Sequence, residues 1–427
     1  MNVWFVTMNF PILAETFAIG DVRTLKDAEV DISVHSLRSA QSAAPELTKK
    51  RLADVPITQS SAGAILGGLA LMFKRPSIAL ALLAWIARHS LKSPKRNRRL
   101  EQLAKSALLV PRTLQLFDAL ERNKPDVVHL FWGHYPAMFA YLVQKYHPEI
   151  VSSVFLGAYD LKTAYGGSAP VARQADVVWT HARANVEEIE RLGVDANLIR
   201  VAYRGVDLTR FESVDWQRKV KRRIVTAGRL ASFKKMDDVL RVFQRTLSQW
   251  SDATLVVLGD GPERERLEAL SRSLGVAHAV TFRGHVAHEE VFVEMAQAEV
   301  FLLMSQHSAE RLPNVIKEAM GCRCVCVTTR TPGIEELLVD GEHGYVVAQG
   351  DVESAAHHIA EVFANADTAQ RVTGAAYAHL ERHFDIHRLA EVYKDTWRAL
   401  ISEKRTRGSA TEPQTGREDA PRTSHSD

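Results

Sequence analysis

Two glutamates in the stretch Ser305 to Met320 have the type and spacing to do chemistry together. The apolar run Val300 to Met304 reads as a strand that empties into a loop and then a helix, and open α/β sheets hold their ligands at such places. Pro313 suits the first helical position, which leaves the backbone N–H groups of Asn314 and Val315 unpaired and aimed outward. A helix start of this kind attracts phosphate. Glu310 falls in the loop before the helix and Glu318 inside it, so the two carboxylates flank one anion site from different directions. One is placed for a sugar hydroxyl and the other for a ribose. A second constellation is basic. Arg229 and Lys234 fall between the expected strand Arg223 to Ala227 and a helix starting at Met236 or Asp237, where they can neutralise a diphosphate as charge builds on it.

The elements that must position these groups follow from composition and periodicity. A chain of 427 residues suits two cores of about 200 residues each. Hydrophobic and charged shares of 46% and 25% are those of a water-soluble globular protein. The net charge of +3 hides an uneven distribution. Cys322, Cys324 and Cys326 alternate along one expected buried strand, Cys322 to Val327. They are too close for a disulfide framework and make a poor tetrahedral set, so they read as reduced, packed thiols and point to the cytoplasm. The first residues lack a basic leader and carry Pro11 and Glu15 within the apolar run, so no signal peptide is expected. No run approaches the roughly 18 uninterrupted apolar residues of a membrane span.

Met1 to Met8 reads as a strand, the loop Phe10 to Phe17 opens a helix capped by Thr16 or Glu15, and Val30 to Val34 alternates as a second strand. Residues 57–122 interrupt this βαβ start with two apolar segments, Ala62 to Phe73 and Ser77 to Ala87. Then come Arg88, Lys92, Lys95, Arg96, Arg98, Arg99, Lys105 and Arg112 against the acid Glu101. Basic residues bordering apolar helices have the composition of an element lying on an anionic membrane surface; a helical insertion packed on its own domain, with a solvated basic rim, is the alternative. No nucleic-acid partner is expected, since the region holds no recognisable binding module and few aromatics among its cations. The sheet resumes at Val127 and continues through Val151 to Phe155, Asp176 to Thr180 and Ile199 to Tyr203. Residues 1–205 thus form a first domain and 206–385 a second. A helix over 386–404 returns to the first domain, and residues 405–427, with no aliphatic larger than Ala, read as a disordered tail.

The Glu310 to Glu318 spacing, with Leu312-Pro313-Asn314 after the first acid and Ala319-Met320 after the second, resembles the retaining glycosyltransferases of family 4, in particular the exopolysaccharide and colanic-acid group. The loop Phe10 to Phe17 is similar to that group's opening loop, with Ala14 where Ser is usual. Tyr203 to Leu208, Gly228-Arg229-Leu230 with Lys234, Gly259-Asp260-Gly261 and Val280 to Val286 are similar to successive segments, with Lys235 in place of the usual Gly and Glu336 matching a further acid. The likeness covers most of residues 1–400 and is more specific in the second half.

The resemblance implies a GT-B fold: two Rossmann-like, doubly wound α/β domains facing across a cleft, the second holding a nucleoside-diphosphate sugar and the first its acceptor. It implies that Glu318 binds the ribose and that Glu310, with the backbone of Arg311 and Leu312, orients the donor sugar. Arg229, Lys234 and the helix start at Pro313, Asn314 and Val315 would carry the diphosphate. Gly259 and Gly261 would let the backbone approach the nucleotide, and the segment holding Arg283 and Gly284 would read the base. It further implies retention by a front-face course and no metal or other cofactor, since no Asp-x-Asp occurs. The implied acceptor is lipid-linked or a polysaccharide, in exopolysaccharide or lipopolysaccharide synthesis at the inner face of the cytoplasmic membrane. Two departures matter. The family's usual His-x-His becomes His129-Leu130-Phe131, which leaves His129, His134 or no imidazole at the reaction centre, with Asp160 as a further cleft candidate. Arg311 replaces the usual Gly, where its bulk would narrow or charge the sugar pocket. These departures keep open a binding or scaffolding subunit without turnover. An epimerase of similar architecture is disfavoured by the paired acids and bases.

Overall fold

The structure is a computed structural model and describes residues 1–12, 16–39, 52–93, 95–212, 214–306 and 310–411. Ala14 and Glu15 of the opening loop, and 412–427 of the expected tail, lie outside the described residues. In the first half, β1 (Asn2–Thr7), β2 (Asp31–Ser36), β3 (Ile57–Thr58), β4 (Val127–Leu130), β5 (Val151–Phe155), β6 (Val177–Thr180) and β7 (Ile199–Val201) form one sheet ordered β3-β2-β1-β4-β5-β6-β7. Its pairings are all parallel. Strands β4 and β5 are buried along their whole length, as central strands of a parallel sheet covered on both faces must be. In the second half, β8 (Arg223–Ala227), β9 (Thr254–Leu258), β10 (Val280–Gly284), β11 (Val300–Leu303), β12 (Val325–Thr329) and β13 (Tyr345–Val347) are ordered β10-β9-β8-β11-β12-β13. In each sheet the winding direction reverses beside the first strand, between β1 and β4 and between β8 and β11. Loops leaving such a switch point diverge and open a crevice at the carboxyl ends of the strands.

Helices cover the faces of both sheets. Those that bear on function are α1 (Thr16–Asp27), α2 (Ala62–Lys74), α3 (Pro76–Leu91), α4 (Arg99–Arg122), α5 (Val186–Arg191), α6 (His288–Gln297), α7 (Asn314–Gly321) and α8 (Ile386–Thr411). Among the described residues no single helix is long and apolar enough to cross a membrane, and α2 and α3 form a pair bent by 105°. Helix α8 sends Leu389, Tyr393 and Trp397 into the core of the first sheet beside Phe5 and Trp179. It runs to Thr411 instead of stopping at 404, because Glu, Lys and Arg continue the helix and Arg407 pairs with Glu403 one turn back (2.6 Å).

The chain crosses between the domains near Gly205 and again near Asp385. Val206 and Asp385 form an isolated parallel bridge, and a Cβ on Gly205 would lie 2.4 Å from the Ile386 nitrogen, so the crossing requires glycine. Asp21 of α1 pairs there with Arg204 (3.3 Å), and the buried Lys317 of α7 donates to the Arg204 carbonyl (2.6 Å). Burial, with Arg204 nearby, pushes the Lys317 ammonium down to about 7.

Two local expectations need correction. Strand β12 begins at Val325, so only Cys326 lies in it. Cys322 ends α7 and Arg323 turns the chain at φ 57°, although all three thiols are buried in one apolar cluster. Arg112 is not part of a solvated basic rim. It is buried in α4 and donates to the Ser36 carbonyl (3.1 Å) and the Thr58 carbonyl (3.4 Å), tying the insertion to the edge of the first sheet.

Candidate functional site

The loop after β8 meets the loop after β11 at the second switch point. Lys234 Nζ donates to one Glu310 oxygen and Ser305 Oγ to the other, while the Gln306 N–H bonds the Phe233 carbonyl (3.0 Å) and locks the two loops together. Arg229 is exposed in the same loop. Pro313 caps α7 instead of forming its first residue: its ψ is extended at 127°, and its carbonyl accepts from Ile316 (3.1 Å). The N–H groups of Asn314 and Val315 therefore precede the helical ladder, as an anion site needs. Farther along α7, Glu318 accepts from His288 Nε2 of α6 (2.9 Å). The structure thus brings Lys234 and Glu310, both singled out in the sequence, into direct contact, whereas the sequence gives no sign of His288.

Three expected donor contacts look different in three dimensions. The Arg311 side chain does not narrow a sugar pocket. It is buried, donates from Nε to Asn185 Oδ1 (2.8 Å) and pairs with Glu188 of α5 (3.4 Å), clamping the second domain to the first. Glu336 makes a second clamp by accepting the Arg183 N–H (2.7 Å) and the Ala184 N–H (2.9 Å). Leu312 is buried in the apolar core behind them. The Arg283 side chain pairs with Glu294 and Glu290 of α6, which leaves only the backbone of this segment for the expected base contact. Gly259 and Gly261 are required by protein contacts: a Cβ would meet the Gly228 carbonyl oxygen at 2.1 Å and the Leu230 carbonyl oxygen at 2.4 Å. The Gly284 carbonyl in turn accepts the Gly259 N–H (2.8 Å).

The first switch point opens a cavity of about 520 Å³ lined by Thr7, Met8 and Asn9 at the end of β1 and by Trp132, His134 and Tyr135 after β4. His134 Nδ1 lies 3.0 Å from Asp160 Oδ1, and the other Asp160 oxygen accepts the Gly157 N–H (3.0 Å). A carboxylate on Nδ1 makes that nitrogen the donor and leaves Nε2 as the acceptor.

His129, expected at the reaction centre, lies in the core instead. Its ring packs among Phe5, Tyr393 and Trp397. Ser153 Oγ accepts from Trp179 Nε1 (2.9 Å) and Trp397 Nε1 (3.0 Å), so its own hydrogen goes to His129 Nδ1 (2.9 Å). Burial, with Arg204 nearby, pushes its pKa down to about 3. His129 is a neutral structural residue. Phe131 carries the Arg204 guanidinium 4.8 Å from its ring centre, a place where a histidine would be held neutral by the same charge. The imidazole that reaches the cavity wall is therefore His134. Its pairing with Asp160 joins the loop after β4 to the short helix Ala158–Thr163, 26 residues on, which no local motif reveals.

Among the described residues, no three His, Cys, Asp or Glu side chains gather into a set able to hold a metal ion. Residues 211–379 match the family described as Glycosyl transferases group 1. The N-acetyl-alpha-D-glucosaminyl L-malate synthase of Bacillus anthracis is 23% identical over 297 residues, 66% of this chain and 76% of that protein. The lipopolysaccharide core biosynthesis glycosyltransferase LpsE of Rhizobium meliloti is 33% identical over 139 residues, 33% of this chain and 40% of that protein. Among solved structures, Anabaena Alr3699/HepE in complex with UDP aligns with a TM-score of 0.68 at 16% identity, covering 93% of this chain and 100% of that one. The lipopolysaccharide outer core galactosyltransferase WaaB, in its apo form, aligns with a TM-score of 0.66 at 17% identity, covering 94% and 100%. The two facing Rossmann-like domains are thus the GT-B fold.

Proposed function

Because residues 211–379 match the family described as Glycosyl transferases group 1, we propose that this chain transfers a sugar, with retention and without a metal, from a nucleoside-diphosphate sugar to a lipid-linked or polysaccharide acceptor. The observation that carries this reading is the Lys234–Glu310 pair beside the open start of α7. Lys234 has three donors, and Glu310 takes one, leaving two for diphosphate oxygens. Arg229 and the N–H groups of Asn314 and Val315 complete a cradle for that charge. Glu310 and the backbone of Arg311 and Leu312 orient the donor sugar, and Glu318 exchanges His288 for ribose hydroxyls.

As the bond from the anomeric carbon to phosphate breaks, its electron pair goes to the phosphate oxygen, where the cradle stabilises it. The sugar becomes oxocarbenium-like, and the acceptor oxygen bonds the anomeric carbon from the same face while its proton passes to the leaving phosphate. His134, oriented by Asp160, accepts a hydrogen bond at Nε2 from an acceptor or sugar hydroxyl on the first-domain side. The names of the LpsE and WaaB relatives, both of lipopolysaccharide core synthesis, support an acceptor of that kind. The apolar and basic helices α2 to α4 support work at an anionic membrane surface on the cytoplasmic side.

Calorimetry with UDP, GDP, ADP and their sugar conjugates in EDTA, followed by acceptor-dependent nucleotide release, tests the proposal. Binding in EDTA with turnover is the expected result. Binding without turnover on any lipid or polysaccharide acceptor would make the protein a binding subunit, and no binding at all would remove the donor site.

A further inference from the structure

Lys317 lies one turn past Asn314 on α7, and it is 1% exposed. Lysine almost never goes so deep unless its charge is paired, and a side chain of similar volume without the charge would fill the space at no cost in lost hydration. Packing therefore does not account for the ammonium. Its bonds do: Nζ donates to Asn314 Oδ1 (3.0 Å) and to the Arg204 carbonyl (2.6 Å), and the Phe384 ring lies 5.4 Å from it. Sealed in this way, Lys317 cannot touch a ligand and can act only through the groups it holds.

Those groups belong to the two sides of the molecule. Asn314 is half-buried at the start of α7, and its N–H, with that of Val315, precedes the helical ladder at the second switch point. Arg204 belongs to the chain crossing between the domains. Its guanidinium pairs with Asp21 of α1 (3.3 Å) and lies 4.3, 4.8 and 5.6 Å from the ring centres of Phe155, Phe131 and Trp132. Trp132 in turn lines the cavity of the first switch point. Arg204 thus gives its carbonyl to α7 and its side chain to the aromatic wall of the first domain. Lys317 is the piece that joins that residue to Asn314.

We propose that Lys317 is a positioning residue of the donor site: its ammonium fixes Asn314, and with it the N–H groups that face the diphosphate, to the crossing chain at Arg204. A diphosphate bound at the start of α7 then stands at a set place relative to the first-domain cavity. Lys234 and Arg229 supply charge to that diphosphate from exposed or half-buried positions, whereas Lys317 supplies none and sets where the helix start lies. The inference rests on the transferase reading above.

The test titrates the full chain calorimetrically with whichever of UDP, GDP and ADP it binds and with the matching nucleoside; the ratio of the two affinities measures what the diphosphate adds. Lys317→Met should lower that ratio about tenfold, the effect of one hydrogen bond to a charged group. The nucleoside affinity should stay as it was, because Glu318 still meets the ribose. Asn314→Ala should lower the ratio as far, and the two changes together no farther than either alone, as residues acting in one chain do. Asn314→Ala, at a half-buried position, carries the test by itself should Lys317→Met fail to fold. Equal losses for nucleoside and nucleoside diphosphate would make Lys317 a residue of the fold alone and overturn the proposal. An unchanged ratio in Asn314→Ala, or losses that add in the double variant, would overturn it too. If a nucleoside diphosphate binds and the ratio ignores both changes, this inference falls and the transferase stands. If no nucleoside diphosphate binds the unaltered chain, both fall.

Discussion

At the second switch point the charges are already matched, Lys234 with Glu310 and Glu318 with His288, whereas at the first an excess of cations lines a cavity walled by aromatic rings, with Glu101 shared by Arg98 and Lys105 and with His134 paired to Asp160. Both crevices come from the same winding reversal of a parallel sheet. Under the proposed function their furnishing differs because one would recognise a chemical group common to all donors, while the other would fit a particular acceptor. A matched pair such as Lys234 and Glu310 keeps both side chains in place until a diphosphate competes for the ammonium. Unmatched cations such as Arg38 wait for a ligand that brings its own negative charge.

The largest effect expected from breaking this contrast is on the donor side. Lys234→Ala should lower turnover about a hundredfold or more, because diphosphate charge is left uncompensated in the transition state; steady-state nucleotide release measures it, and unchanged turnover would remove Lys234 from the mechanism. His134→Ala should cost about tenfold or more in turnover through the lost hydrogen bond while the affinity for nucleoside diphosphate stays as it was, so a matching loss of nucleotide binding would contradict its place on the acceptor side. Glu318→Ala should weaken nucleotide binding about tenfold through the lost ribose bonds, with a smaller fall for His288→Ala in the same calorimetric titration.

Acid should act on the first domain through its buried histidines, His35, His129 and His181, whose pKa values burial pushes down. The folded pKa of His129, about 3, lies below the ordinary value of 6.5. The unfolded chain therefore takes up the proton first as pH falls, and stability is lost progressively from pH 6.5 toward 3. Chemical denaturation across that window should show the slope, and His129→Gln should reduce it; a slope untouched by that change would contradict the assignment. The smallest effect is expected at Lys235, whose left-handed backbone (φ 51°) suits glycine. Lys235→Gly should raise stability by no more than about 1 kcal/mol, read as a small rise in Tm, and a marked loss would mean that the Lys235 side chain holds the loop.

The donor side was the more legible half. Glu310, Pro313 and Glu318 are close in sequence, and a strand, a loop and a helix start are enough to bring them to one place. Lys234 joins them because its loop leaves the neighbouring strand of the sheet. The acceptor side comes from loops after β1, β2, β4 and β5 together with α4, and no short motif spans those. His129 misled for a physical reason: at the end of a short buried strand, neighbouring positions face opposite sides of the sheet, and which side is the cleft depends on where α8 packs. Arg311 misled because its direction is set by Asn185 and Glu188, more than a hundred residues earlier.

By itself the sequence determined two parallel α/β sheets and the loop-to-helix arrangement that holds Glu310, Pro313 and Glu318 together, since apolar periodicity, glycine turns and helix starts act over a few residues. Tertiary structure alone decided that His129 is core and His134 is cleft, that Arg311 and Glu336 clamp the domains, and that α2 is left uncovered. Burial and partner choice depend on elements far apart in the chain, and those meet only once both sheets are folded and facing.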